Sequence, residues 1–88
     1  MAAMTEHEIL SVLAKIIEEA AGIPASTATP EADLTNDLGI SSLAMVEIVV
    51  AVEEKFSIEI PDEALVSLRA VQDVVGYVQR VQGSVAAT

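Results

Sequence analysis

Cysteine is absent from this 88-residue chain, and basic residues and aromatic side chains are scarce. Without cysteine the chain forms no disulfide, offers no thiolate nucleophile and gives zinc no sulfur ligand, a usage typical of the reducing cytoplasm. Four Lys and Arg stand against 14 Asp and Glu, so the formal net charge is -10. Because nucleic acids and anionic membranes bind basic surfaces, we expect neither as a partner and instead expect proteins that present basic patches.

The aromatic residues are limited to Phe56 and Tyr77, so the core must consist mainly of Val, Ile, Leu and Ala. A core of small aliphatic side chains can open to admit an alkyl chain. However, an ordinary small core that binds nothing has the same composition. The longest apolar run, Ile48 to Val52, is far too short to cross a bilayer, and the N-terminus lacks a basic region followed by an apolar stretch. We therefore expect one small soluble domain without a leader.

The first helix is marked at both ends. Thr5 and Glu8 form the capping-box pattern, in which each side chain accepts a hydrogen bond from the other residue's backbone N–H. Apolar residues then recur at three- and four-residue spacing, and Gly22 followed by Pro24 ends the helix. A long polar connection, residues 23–40, separates this helix from the next; we expect it to be packed down through its leucines.

The second helix is predicted from Ser41 or Ser42 to about Phe56. Its β-branched middle also fits a strand, but the helical spacing of its acidic residues and its length favour a helix. Its predicted inward side chains are Leu43, Val46, Val49, Val50, Val52 and Phe56.

The remaining elements are shorter or less sharply bounded. Asp62 is predicted to cap a short third helix that reaches about Ser67, and a last helix is predicted from about Val71 to Gln82. The fold class is therefore all-α, with three longer helices, one short third helix and a long first loop. We divide the chain into a flexible N-terminus (1–4), one folded domain (5–82) and a flexible C-terminal tail (83–88).

The serines at positions 41 and 42 do not resemble an enzyme nucleophile. Gly39 and Ser41 match part of the nucleophile elbow, but the second glycine that its sharp turn needs is missing. The single histidine, His7, falls in the first turn of another helix, where it is predicted to be exposed. Without a neighbouring base a serine hydroxyl is a poor nucleophile, so no catalytic residue is predicted.

A metal site is also not predicted. The segment from Asp33 to Asp37 places Asp, Thr and Asp at alternate positions, like a calcium-binding loop. However, Leu38 stands where that loop needs glycine, and Ala44 stands where it needs a bidentate glutamate. The two aspartates are more simply interpreted as turn and cap residues.

The start of the second helix suits an anion. Its unpaired N–H groups and the positive end of the helix dipole would stabilise a phosphate carried by a serine in the first turn. Ser41 is a good N-cap residue, and Ser42 would be exposed at the helix tip. Helix physics alone favours the simpler interpretation, in which both serines serve only as caps.

Four motifs follow one another in a specific order: DLGISSL from Asp37, EEKF from Glu53, IEIPDE from Ile58 and VQDV from Val71. In this combination the chain resembles the acyl carrier proteins, particularly free-standing carriers of dissociated fatty-acid or polyketide synthases from actinobacteria. The resemblance implies a small four-helix bundle of the acyl-carrier type that performs no chemistry itself. It also implies that Ser42, the serine before the leucine, carries 4′-phosphopantetheine as a covalent cofactor whose thiol holds acyl groups.

The resemblance further implies partners and two sets of residues. The expected partners of this cytoplasmic monomer are a phosphopantetheinyl transferase and the ketosynthase, acyltransferase and other synthase enzymes with basic docking surfaces. The expected partner-binding residues are Leu43, Glu47, Val50, Glu53, Glu54, Glu59, Asp62 and Glu63. The expected lining of an acyl-chain cavity is Val46, Val49, Val52, Phe56, Ile60, Leu65, Leu68, Val74 and Val78.

One position departs from the family pattern, because Ser41 stands where an aspartate usually precedes the modified serine. This removes a negative charge beside the site and bears on which transferase recognises it. Two alternatives stay open at this point. One is a peptidyl carrier of nonribosomal peptide assembly, which the acidic second helix disfavours; the other is a helical interaction domain without a prosthetic group.

Overall fold

The computed structural model describes the backbone of residues 5–87 and the side chains of residues 5–82, so the predicted N-terminal extension at 1–4 lies outside the described residues. The elements, in chain order, are α1 (Glu6–Ala21), a 3₁₀ turn (Ala25–Thr27), α2 (Ser42–Phe56), α3 (Asp62–Leu65) and α4 (Val71–Ala87). Apart from one isolated bridge between Asp33 and Ala70, the described residues form no strand. The all-α prediction is confirmed, and the strand alternative for α2 is excluded.

Helix α1 begins and ends where its local signals predict. The Glu8 N–H donates to Thr5 Oγ1 at 3.2 Å, and the Thr5 N–H donates to Glu8 Oε1 at 2.8 Å. At the other end Gly22 takes a left-handed conformation, φ 73°, and its N–H donates to the Glu18 carbonyl. A glycine adopts this conformation without the steric cost that other residues pay.

The bounds of α3 and α4 differ from those predicted. Pro61 occupies the cap position of α3 without a side-chain hydrogen bond, so Asp62 is the first helical residue and not the cap. The helix ends at Leu65, and the residues up to Leu68 form turns. Helix α4 continues to Ala87, so the predicted end at about Gln82 is wrong. The next residue is Gly83, and a glycine within a helix costs only about 1 kcal/mol and does not by itself terminate the helix. The flexibility predicted for 83–88 stays a prediction.

Helix α1 packs against both α2 and α4. Its core residues Ile9, Leu13 and Ile17 are at most 1% exposed, and they give the bundle a continuous aliphatic centre. None of the helices within residues 5–87 is both long and apolar enough to span a bilayer.

The long connection between α1 and α2 is packed against the rest of the fold, as predicted. Leu34 is 2% exposed, and its N–H donates to the Arg69 carbonyl at 2.8 Å. The Val71 N–H donates in turn to the Ala32 carbonyl at 3.0 Å. These bonds tie the connection to the start of α4, and so fix the segment that leads into α2.

The predicted inward face of α2 is partly wrong. Its buried residues are Ile48, Val52 and Phe56, whereas Leu43, Val46 and Val50 are exposed to 74%, 56% and 46% respectively. Val49 is partly buried. Apolar side chains occupy nearly every turn of this helix, so the periodicity gave little contrast between its two sides; packing against α1 selects the Ile48 side.

Candidate functional site

The two serines at the start of α2 have different roles. Ser41 is the N-cap, in extended conformation, and its Oγ accepts a hydrogen bond from the Ala44 N–H at 3.2 Å. Ser42 is the first helical residue, and its side chain is exposed. Because Ser41 already caps the helix, the Ser42 hydroxyl is not needed for that purpose and is open to modification.

The loop before the serines is held by its own aspartates. Asp33 Oδ1 accepts from the N–H groups of Thr35 and Asn36 at 2.9 and 2.8 Å, and Asp37 Oδ2 accepts from the Asp33 N–H at 2.7 Å. The prediction that these two aspartates are turn residues is confirmed. Their carboxylates satisfy backbone donors within the loop, which places them in a structural role.

The last two residues before Ser41 are also fixed. Gly39 has φ 64°, a left-handed conformation that favours glycine, and its N–H donates to the Thr35 carbonyl at 3.1 Å. The Ile40 N–H donates to the Leu34 carbonyl at 3.0 Å, and the Ile40 side chain is buried. Ser42 therefore follows a loop whose backbone is hydrogen-bonded and whose last residue, Ile40, is buried.

The N-terminus of α2 differs electrostatically from those of the other helices. The first turns of α1, α3 and α4 each contain acidic residues, but the first turn of α2 contains none. The positive end of the α2 dipole is thus not compensated by a carboxylate of its own first turn. A phosphate on Ser42 fits this position, since it would supply the missing negative charge.

Helix α2 presents a mixed apolar and acidic surface downstream of Ser42. Leu43, Glu47, Val50 and Glu54 follow at three- and four-residue spacing and are all exposed, with Val46 exposed beside them. We call these five residues the α2 outer face. Exposed valines and a leucine flanked by carboxylates form a surface able to contact apolar and basic groups together.

The other predicted partner-binding residues divide into two groups. Glu59, Asp62 and Glu63 are exposed in the α2–α3 connection and in α3. Glu53 differs, because it is partly buried and its Oε2 accepts a hydrogen bond from the Ile60 N–H at 2.8 Å. Sequence reasoning missed this role: the acceptor and donor lie seven residues apart across a helix end, where no periodic pattern applies.

The predicted cavity residues lie mostly in the core. Those that are buried are Val52, Phe56, Ile60, Val74 and Val78. Val49, Leu65 and Leu68 are partly buried, and the two leucines line surface clefts. Val46 is the exception, since it belongs to the exposed α2 outer face. Whether the others line a cavity for a chain stays a prediction.

Comparison with known proteins agrees with this arrangement. Residues 11–78 match the family model described as a phosphopantetheine attachment site. The acyl carrier protein of Thermobifida fusca is 54% identical over 78 residues, which cover 89% of this chain and 99% of that protein. The acyl carrier protein of Acidothermus cellulolyticus is 51% identical over 76 residues, covering 86% of this chain and 90% of the relative. The meromycolate extension acyl carrier protein of Mycolicibacterium smegmatis is 51% identical over 80 residues, covering 91% and 81%.

The helical fold, the exposed serine at a helix tip and the matched attachment-site model define a phosphopantetheine-bearing carrier domain. Within that class the chain belongs to the acyl carrier protein family, and its role is to carry acyl intermediates in fatty-acid or related synthesis. The resemblance seen in the four sequence motifs is confirmed, including its actinobacterial character. The family acts as a carrier and not as a catalyst.

Proposed function

We propose that Ser42 is the residue that bears 4′-phosphopantetheine, and that this chain presents acyl groups to the separate enzymes of a dissociated fatty-acid or polyketide synthase. The observation that carries the proposal is the position of Ser42. Its side chain is exposed at the first residue of α2, beside a cap function already filled by Ser41. The helix tip also lacks a carboxylate and so favours the phosphate.

Attachment requires a phosphopantetheinyl transferase and coenzyme A. A bond forms between Ser42 Oγ and the phosphorus of the pantetheine half, the hydroxyl proton leaves, and the nucleotide half of coenzyme A is released. Once attached, the group supplies the thiol that holds an acyl chain as a thioester, a function that a chain without cysteine cannot otherwise provide. The chain itself catalyses nothing; all bond-making steps belong to its partners.

The α2 outer face, together with Glu59, Asp62 and Glu63, forms the proposed docking surface for a ketosynthase, an acyltransferase and other synthase enzymes. Its carboxylates steer the carrier toward basic surfaces, and its exposed leucine and valines add apolar contact after encounter. We leave Glu53 out of this surface because its carboxylate is engaged with the Ile60 N–H. A docking surface of this kind supports rapid and reversible association, as a shuttle requires.

We further propose a cytoplasmic monomer. The absence of cysteine and the net charge of -10 support it, since strong like charge opposes self-association. The acyl cargo is favoured over an aminoacyl cargo by the exposed acidic residues Glu47 and Glu54 and by the similarity to proteins named as acyl carriers.

Modification of Ser42 is expected to stabilise the fold. The phosphate adds negative charge at the positive end of the α2 dipole, which is worth about 0.5–1 kcal/mol of unfolding free energy at low ionic strength. For a domain of this size, the melting temperature should rise by about 4 °C. Thermal unfolding of the apo and holo forms measures this difference in melting temperature. In Ser41→Asp, where a carboxylate already sits at the tip, the increment should shrink; an equal increment in this variant would contradict the electrostatic explanation.

The proposed function is tested by incubating the full chain with a broad-specificity phosphopantetheinyl transferase and coenzyme A. Intact-mass measurement should show the gain of one phosphopantetheinyl group per chain, and no gain when coenzyme A is omitted. A chain that stays unmodified with several transferases of different specificity would overturn the proposal.

A further inference from the structure

One peptide group between α2 and α3 is held at both of its polar atoms by side chains of other elements. Its N–H, that of Ile60, donates to Glu53 Oε2 of α2 at 2.8 Å. Its carbonyl, that of Glu59, accepts a hydrogen bond from the Tyr77 hydroxyl of α4 at 3.2 Å. The Glu59–Ile60 peptide is therefore a polar link between α2 and α4.

Glu53 also holds the start of the same connection through its backbone. The N–H groups of Ser57 and Ile58 both donate to the Glu53 carbonyl, and Ser57 takes a left-handed conformation with φ 55°. Glu53 thus accepts three of the amide hydrogens that follow α2. Of these three bonds, only the one to Ile60 depends on the side chain and can be removed by substitution.

The connection covers part of the core. Ile58 and Ile60 are 8% and 6% exposed, and they alternate with exposed Ser57, Glu59 and Pro61. They belong to the same buried cluster as residues of α2 and α4, namely Val52, Phe56, Val74 and Val78. Moving this connection outward would open the core between those two helices.

We propose that Glu53 and Tyr77 clamp the Glu59–Ile60 peptide and so hold residues 57–61 closed over the core, setting how readily the core opens to an acyl chain. The cargo part of the proposal rests on the proposed carrier function; the clamp itself does not. Glu53 is accordingly a positioning residue. The bond to a carboxylate is charge-assisted and partly buried, and its loss leaves a backbone donor unpaired, so the closed state should weaken substantially.

The clamp is tested on the unmodified chain by amide hydrogen exchange. Glu53→Ala should speed exchange of the Ile60 amide by at least about tenfold relative to core amides of α1, as expected for one charge-assisted hydrogen bond. Glu53→Gln keeps an acceptor oxygen but loses the charge, so its exchange rate at Ile60 should lie between those of wild type and Glu53→Ala. Glu54→Ala removes a neighbouring exposed carboxylate and is the matched control, with no change expected. Tyr77→Phe deletes only the second bond and should also speed exchange at Ile60.

The second part of the proposal, that the clamp sets how readily the core opens to an acyl chain, is here called the gate. It is tested on the same variants after loading with phosphopantetheine bearing octanoyl or acetyl. We expect hydroxylamine to cleave the octanoyl thioester at least about threefold faster in Glu53→Ala and Tyr77→Phe, because a more frequently open core releases its chain more often. Acetyl, which is too short to enter the core, should be cleaved at one rate in all variants. The octanoyl cleavage rate of Glu53→Gln should again lie between those of wild type and Glu53→Ala.

The outcomes of these experiments test the clamp, the gate and the carrier function separately. Unchanged exchange at Ile60 in Glu53→Ala, or equal effects of Glu53→Gln and Glu53→Ala, would overturn the clamp. Faster exchange with unchanged octanoyl cleavage would overturn the gate. If wild type cannot be loaded at all, the carrier function fails and the gate with it, while the exchange data still decide the clamp.

Discussion

Ser42→Ala is expected to abolish phosphopantetheine loading completely, whereas Ser41→Ala is expected to be loaded to one group per chain. The reason is that the two hydroxyls are used differently. Ser41 Oγ accepts from the Ala44 N–H, so its loss costs about 1 kcal/mol of stability as a missing helix cap. Ser42 is exposed, and its Oγ is the atom to which we propose that phosphopantetheine is attached. Intact mass after incubation with transferase and coenzyme A measures the loading of both variants.

The control for Ser42→Ala is its fold. Because the Ser42 side chain is exposed and is not the cap, circular dichroism and the melting temperature should match those of the apo wild type within the small range typical of surface substitutions. If Ser42→Ala is still loaded, the proposed assignment to Ser42 is wrong. If a folded Ser41→Ala is then not loaded, Ser41 carries the group instead.

Reversing charge on the α2 outer face is expected to slow association with a partner enzyme by about tenfold at low ionic strength. The variant is Glu47→Lys combined with Glu54→Lys. Both carboxylates are exposed at helical spacing beside Leu43 and Val50, so the change alters the steering charge where the apolar contact is made. Stopped-flow association of the holo protein with a ketosynthase measures the rate. Added salt should narrow the gap between variant and wild type, since screening weakens both attraction and repulsion.

The matched control is Glu19→Lys combined with Glu31→Lys, two exposed carboxylates outside the outer face. It changes the net charge by the same amount. If both double variants slow association equally, the effect comes from total charge and not from a docking surface. If neither variant changes the rate at low salt, electrostatic steering has no part in the encounter.

The parts of the fold that the sequence predicted well are those with local signals. The capping pair Thr5 and Glu8, the glycine at position 22 and the two loop aspartates each act on backbone groups a few residues away, so residue type and spacing were sufficient. The start of α2 at Ser41 and Ser42 was predicted for the same reason.

The parts that failed depend on tertiary contacts. The inward face of α2 could not be chosen correctly because Leu43, Val46 and Val50 are as apolar as the residues that pack against α1. Glu53 looked like its neighbour Glu54, and only the path of the chain through residues 57–60 brings the Ile60 N–H to its carboxylate. The end of α4 was missed because no residue after Gln82 is a strong helix stop, so the sequence did not mark the end at Ala87.

The candidate site required more than helix physics. A serine at a helix tip is usually a cap, and Ser41 is one. The ordered combination of motifs pointed to Ser42, and the structure adds a physical reason, since the cap function belongs to its neighbour. Ser41 in place of the usual aspartate also leaves the N-cap and first turn of α2 without a carboxylate, so the phosphate that we propose on Ser42 would itself supply the compensating charge.

The most direct test of the carrier role is the state of Ser42 in the living cell. The protein should be isolated from its native host under conditions that preserve thioesters, and the peptide containing Ser41 and Ser42 should be fragmented in a mass spectrometer. We expect phosphopantetheine on Ser42, with part of the population bearing acyl chains as thioesters. A peptide that is unmodified throughout growth, or that bears the group on Ser41, would contradict the proposed function.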